Sequence, residues 1–147
     1  MSIRCSFSSV VGSQCSYDRR DKQKSTEVVP LLSCEKDVKC DVKCEVDLIL
    51  SRASLFVSIE ESSHFTICPM HRSSLGIGWR RTSNICKVPP EISQHRTTKK
   101  IPKAERGMGK HVSQLILHKT GHFLPVGTGK SLGVNFVVVC TQSRFYR

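Results

Sequence analysis

Between residues 61 and 107 the chain shows neither of the hydrophobic periods that build regular structure. Apolar residues neither recur at helical spacing nor alternate as in a strand. Gly76, Gly78, Pro89, Pro90 and Pro102 interrupt the segment further. Such a stretch has no apolar face to bury, so it is either disordered or held by something other than a core. It contains one candidate organiser: Cys68, His71, Cys86 and His95, spaced C-x2-H-x14-C-x8-H. Zinc binds four nitrogen or sulfur ligands tetrahedrally, and C-x2-H is a usual spacing for one arm of such a site. The eight-residue gap from Cys86 to His95 is longer than the usual knuckle. His64, four residues before Cys68, is a spare ligand, and the alternative is an unliganded thiol and a solvated imidazole at each place.

The rest of the chain is organised differently. Residues 1–30 begin with a Ser-rich, polar stretch and are expected to be disordered. In "DVKCDVKCEVDLIL" the apolar Val38, Cys40, Val42, Cys44, Val46, Leu48 and Leu50 fall on every second position, with charged residues between most of them. That alternation predicts a half-buried strand, and "LFVSIE" continues it past a turn at "SRAS", giving a β-hairpin over about 37–60 within a 31–60 segment. On a strand, Cys40 and Cys44 would stand about 13 Å apart. Zinc–sulfur bonds are about 2.3 Å long, so the two would pack and not share one ion. Met108, Val112, Leu115, Ile116 and Lys119 follow the period of one helical face, and Gly121 stands where a helix cap belongs. A helix is therefore expected over about 108–120. His111 and His118 would lie about 10 Å apart along it, too far for joint ligation. The tail, 130–147, reads as a strand through "NFVVVC". "GTGKS" lacks the first glycine of a phosphate loop, with Leu124 in its place, and leads into strand-like residues where that loop opens a helix. It reads as a glycine-rich turn. The expected fold is small α+β: an irregular, zinc-braced loop region over 61–129 with one short helix, plus the hairpin.

Charge and cysteine usage bound the function. Residues 1–60 carry nine Lys/Arg and nine Asp/Glu, whereas 61–147 carry fourteen and three, which supplies the whole net charge of +11. A basic half favours polyanions: nucleic acid first, then an acidic protein or an anionic surface. Arg72, Trp79, Arg80, Arg81, Lys99, Lys100, Lys103 and Arg106 are the candidate nucleic-acid contacts, with Trp79 either stacking on a base or anchoring the loop. Eight Cys are many for 147 residues. The N-terminus lacks the apolar core of a signal peptide, and no run of about 18 apolar residues exists to span a membrane. An intracellular location, nucleus or cytoplasm, is expected, with organelle import as the alternative. No paired carboxylates stand in the basic half, and no catalytic triad or cofactor fingerprint is visible, so no enzyme is expected. A protein-interaction scaffold and a truncated gene product are the competing readings.

The string "CPMHRSSLGIGWRR", followed by Cys86, Pro90, His95, Arg106 and Gly121 and then "LPVGTG", resembles a small Cys/His module of uncharacterised animal proteins. The resemblance covers roughly residues 67–129 and implies zinc binding. The module's closing C-x2-C-R is degraded here: "CTQSR" has Ser143 at the second cysteine, so Cys140 is at most a surviving ligand.

Overall fold

The computed structural model describes residues 4–38, 42–89, 103–104 and 106–130. The chain divides into two compact units, Met1–Trp79 and Arg80–Arg147. The division falls inside the 61–129 segment, so Cys68 and His71 belong to the first unit and Cys86 to the second.

The first unit begins with a short helix, α1 (Phe7–Val11), closed by Gly12 in the left-handed conformation at φ 76°. Strand β1 (Val29–Pro30) pairs antiparallel with β2 (Thr66–Ile67), Val29 opposite Ile67. The segment at residue 6 also joins Thr66: the Ser6 N–H donates to the Thr66 carbonyl at 2.9 Å, and the Thr66 N–H donates to Ser6 Oγ at 3.0 Å. The N-terminal stretch expected to be disordered thus carries, from residue 4 on, a helix and two core side chains, Cys5 and Phe7. Its serines act as backbone partners here, which composition alone does not reveal.

Helix α2 (Glu45–Arg52) stands where the first strand of a hairpin was expected. Val46, Ile49, Leu50 and Ala53 follow an i, i+3, i+4, i+7 pattern and all enter one core cluster. The same letters also alternate, so "EVDLIL" satisfies both periods, and burial on nearly all sides decides for the helix. Glu45 and Asp47 occupy its first turn, favourable to the helix dipole. Ser54, at φ 61°, turns the chain so that the Leu55 N–H reaches back to the Leu50 carbonyl. Residues 55–59 carry no strand, although Leu55, Val57 and Ile59 still pack on the core. That core contains Phe7, Leu31, Ile49, Leu50 and Ile67, with the Phe7 and Phe65 rings edge-to-face at 6.1 Å. Helix α3 (Pro69–Leu75) follows β2 directly, with Cys68 as its N-cap and Pro69 in its first turn, where the missing N–H costs nothing.

In the second unit, β3 (Arg106–Gly107) pairs antiparallel with β4 (Gly129–Lys130), and Ile85 bridges Lys103. Helix α4 (Lys110–Thr120) ends at Gly121, whose left-handed φ of 74° directs its N–H to the Leu117 carbonyl. This agrees with the expected helix and cap. Its buried face meets Cys86, Val88 and Met108 through Ile116, with Val112 and Leu115 alongside. The "GTG" of the phosphate-loop look-alike ends in β4, and Gly129 has no room for a side chain, since a Cβ there would collide with the Ala104 Cβ. The tail strand expected at 135–140 lies outside the described residues.

Candidate metal centre

Four side chains of the first unit converge: Cys5, Cys15, Cys68 and His71, with their ligand atoms all within 4.8 Å of one another. Three of the four are buried and Cys15 is exposed. The arrangement grows out of local structure. Cys68 caps α3, and its Sγ accepts the N–H of His71 at 3.4 Å. The two-residue spacing then brings the imidazole back over the same turn, leaving Cys68 Sγ 3.1 Å from His71 Nδ1. Cys5 arrives beside β2 through the Ser6–Thr66 pairing, and its sulfur accepts the Cys68 N–H at 3.3 Å. The loop after α1 delivers Cys15 and is tied down by a hydrogen bond from the Met70 N–H to the Ser16 carbonyl.

The distances decide what the cluster is suited to. Nδ1 of His71 stands 3.5 Å from Cys5 Sγ, 3.8 Å from Cys15 Sγ and 3.1 Å from Cys68 Sγ. An imidazole nitrogen has one lone pair, so three thiols around it exceed what a single hydrogen bond explains. A tetrahedral cation with zinc-like bond lengths would hold sulfur and nitrogen about 3.5 Å apart, which matches the observed spacing. The other ring nitrogen, Nε2, lies 2.8 Å from Ser13 Oγ. That contact orients the ring with Nδ1 toward the sulfurs, a common role for a partner behind a metal ligand. Burial pushes the His71 imidazole below its ordinary value, against an opposing pull from Ser13, which favours the neutral ring a metal requires. Loss of hydration and the neighbouring Cys68 and Cys5 sulfurs push the Cys15 thiol up to about 12. Without a cation, several thiolates would repel one another there.

Next to the cluster, α3 is locked to α2. The Arg72 guanidinium donates to both carboxylate oxygens of the buried Glu45, at 2.7 and 3.1 Å. The Lys36 N–H adds a third bond to Glu45 at 2.7 Å. Burial by itself would raise the Glu45 carboxyl, but Arg72 and the Lys36 N–H outweigh it and hold it below its ordinary value.

Of the ligands expected from sequence, Cys68 and His71 join the cluster. Cys86 is buried in the apolar cluster of the second unit. His95 and Cys140 lie outside the described residues. His64 is exposed, with its ring against Phe65 at 4.6 Å. Cys44 stands at the N-cap position of α2, and Cys40 is outside the described residues. Among the proposed nucleic-acid contacts, Arg72 is engaged by Glu45, and Trp79 packs under the Arg52 guanidinium at 4.5 Å. Arg80, Arg81, Lys103 and Arg106 are exposed, and Lys99 and Lys100 are not among the described residues. Sequence reasoning missed Cys5 and Cys15. Their only signal was a pair of cysteines ten residues apart in a serine-rich stretch, with no local spacing pointing toward Cys68.

No protein-family model, curated protein or solved structure matches the chain. The fold and the cluster define a small α+β protein with a constellation of three cysteines and one histidine close enough to hold a metal ion. Among the described residues, no helix is long and apolar enough to cross a membrane.

Proposed function

We propose that the first unit is a zinc module in which Cys5, Cys15, Cys68 and His71 bind one ion with a structural role. The observation that carries this reading is the placement of three sulfurs around a single imidazole nitrogen. Thiolate-rich sites favour soft or borderline metals, and zinc fits a tetrahedron of three sulfurs and one nitrogen without redox demands. Four protein ligands leave no open position for substrate, so the site supports no enzymatic role. Three thiolate ligands also require a reducing compartment, in keeping with the nucleus or cytoplasm. The test is metal analysis of the purified protein with Cys5→Ser, Cys15→Ser, Cys68→Ser and Cys86→Ser variants. One zinc per chain is expected, lost in the first three and retained in Cys86→Ser. Loss in Cys86→Ser with retention in Cys5→Ser and Cys15→Ser would restore the Cys68, His71, Cys86, His95 site instead.

A second reading concerns the partner. Residues 1–79 carry ten Lys/Arg and ten Asp/Glu, whereas 80–147 carry thirteen and two, so the net charge of +11 belongs entirely to the second unit. We infer that this unit, through Arg80, Arg81, Lys103 and Arg106, binds nucleic acid by its phosphates, while the first unit does not. Binding to mixed-sequence RNA or duplex DNA should weaken steeply as salt rises. Absence of binding at low salt would leave an interaction with an acidic protein, or a scaffold role, in its place.

A further inference from the structure

The four ligands are unequal in their access to solvent. Cys68 is 1% exposed and Cys5 7%, and His71 is fully buried, while Cys15 lies on the surface. Small polar oxidants in water therefore reach the cluster through one sulfur. A metal-bound cysteine is a thiolate at neutral pH, and the thiolate is the nucleophilic form. The buried thiolates stand within 4.8 Å of Cys15 Sγ, close enough to complete a disulfide after modest movement of the loop.

We propose that Cys15 is an oxidation site through which a hydroperoxide opens the metal centre. The proposal rests on the zinc reading above. The Cys15 sulfur attacks one peroxide oxygen; the S–O bond forms, the O–O bond breaks, and the leaving oxyanion takes a proton from water. Cys68 then attacks the Cys15 sulfenic acid; the S–S bond forms and hydroxide departs, leaving as water once protonated. Two thiolates lose two electrons, the hydroperoxide gains them, and the zinc ion keeps its charge. The ion is left with only Cys5 and His71 and dissociates. Cys5 is a second buried sulfur within the same reach and would serve equally as the resolving partner.

The geometry ties this chemistry to a defined structural change. The loop bearing Cys15 is held against α3 by contacts from Ser13 to His71, from Ser16 to Met70, and from Arg20 to Ser73 at 2.9 Å. A cavity of about 500 Å³ lies under it, bounded by Ser16, Arg20, Met70 and Ser73. A disulfide at Cys15 draws the sulfur out of its position over His71 and strains the Ser13 contact. The loop is then released from α3.

The experiment uses the zinc-loaded 147-residue chain. Zinc content is measured first; protein without zinc would refute the zinc reading itself before any oxidant is added. Hydrogen peroxide is then titrated in while a chromogenic chelator follows zinc release and alkylation mass spectrometry maps the thiols. The expected result is one zinc released for two thiols lost, with Cys15 in the disulfide and Cys34, Cys44 and Cys86 still alkylated. Reductant plus zinc should restore the starting state. Cys15→His replaces the sulfur by a nitrogen donor that peroxide does not oxidise in this way, and zinc-loaded protein of this variant should release zinc to peroxide more slowly than the wild type. Zinc release from wild-type protein through a Cys5–Cys68 disulfide, with Cys15 still reduced, would overturn the proposal. So would release from the zinc-loaded Cys15→His protein at the wild-type rate. If that variant fails to load zinc, the mapped disulfide of the wild type decides alone.

Discussion

Ser13 lies behind His71 and helps fix which nitrogen of the ring faces the sulfurs. Its oxygen is 2.8 Å from Nε2 and can accept a proton held there, the tautomer that leaves the Nδ1 lone pair for a metal. Removing such a partner typically weakens metal affinity about 10-fold or more. Ser13→Ala should therefore lose zinc to a competing chelator at about tenfold lower chelator concentration, with the fold intact. Arg72 poses a different test. Glu45 is fully buried and its charge is balanced by Arg72 and the Lys36 N–H. Arg72→Ala leaves that carboxylate uncompensated and should cost about 3 kcal/mol in denaturant unfolding of the zinc-loaded protein. The pair also gives a pH dependence with a definite sign. Glu45 is held below its ordinary value of 4.5 in the folded state. Its contribution to stability is then complete above about pH 4.5 and is lost as pH falls through the lowered folded value. Melting temperature followed downward from pH 6 should drop less steeply in Glu45→Gln than in the wild type.

At the level of elements, the sequence was legible where structure is local. Helix α4 follows from the spacing of Met108, Val112, Leu115 and Ile116 and from Gly121, all within fourteen residues of one another. The C-x2-H turn is equally local, and Cys68 and His71 do meet. Helix α2 was misread because its apolar residues satisfy two periods, and only the surrounding core chooses between them. Ile49 discriminates most sharply. In the strand expected from the alternation it would point to solvent with Asp47 and Glu45, whereas in the helix it is 0% exposed. Ile49→Ala should therefore cost about 2–5 kcal/mol, measured by denaturant unfolding. A loss under about 0.5 kcal/mol, typical of surface changes, would favour the strand. Cys5 and Cys15 could not be found by any local rule. They meet His71 across 66 and 56 residues, and their approach depends on the pairing of Ser6 with Thr66 and of Ser16 with Met70. Nothing in a serine-rich segment announces such pairings in advance.

For the molecule as a whole, two kinds of cohesion divide the work. The second unit holds α4 against Cys86, Val88 and Met108 by apolar packing, and the buried Ser113 hydroxyl ties it to the Leu124 carbonyl. The first unit has a larger apolar core, but its N-terminal segment is joined to α3 chiefly through the cluster of cysteines and histidine and its neighbours. Stripping the metal with a chelator should therefore act unevenly, since binding energy at such a site is folding energy. Hydrogen exchange should accelerate in residues 5–17 and at the start of α3, while protection in α4 stays unchanged. Uniform loss of protection in both units would contradict this division. The charge is divided the same way, with a neutral first unit and a cationic second, so salt should alter nucleic-acid affinity and leave the metal affinity nearly untouched.

The spread of the four cluster residues along the chain has a consequence for biosynthesis. Cys5 and Cys15 emerge from the ribosome long before Cys68 and His71, 56 residues separating the second donor from the last. A metal held by this cluster could be captured only once α3 has been made, late in translation. For that interval Cys5 must be kept reduced by the surrounding medium, because the segments that later bury it do not yet exist.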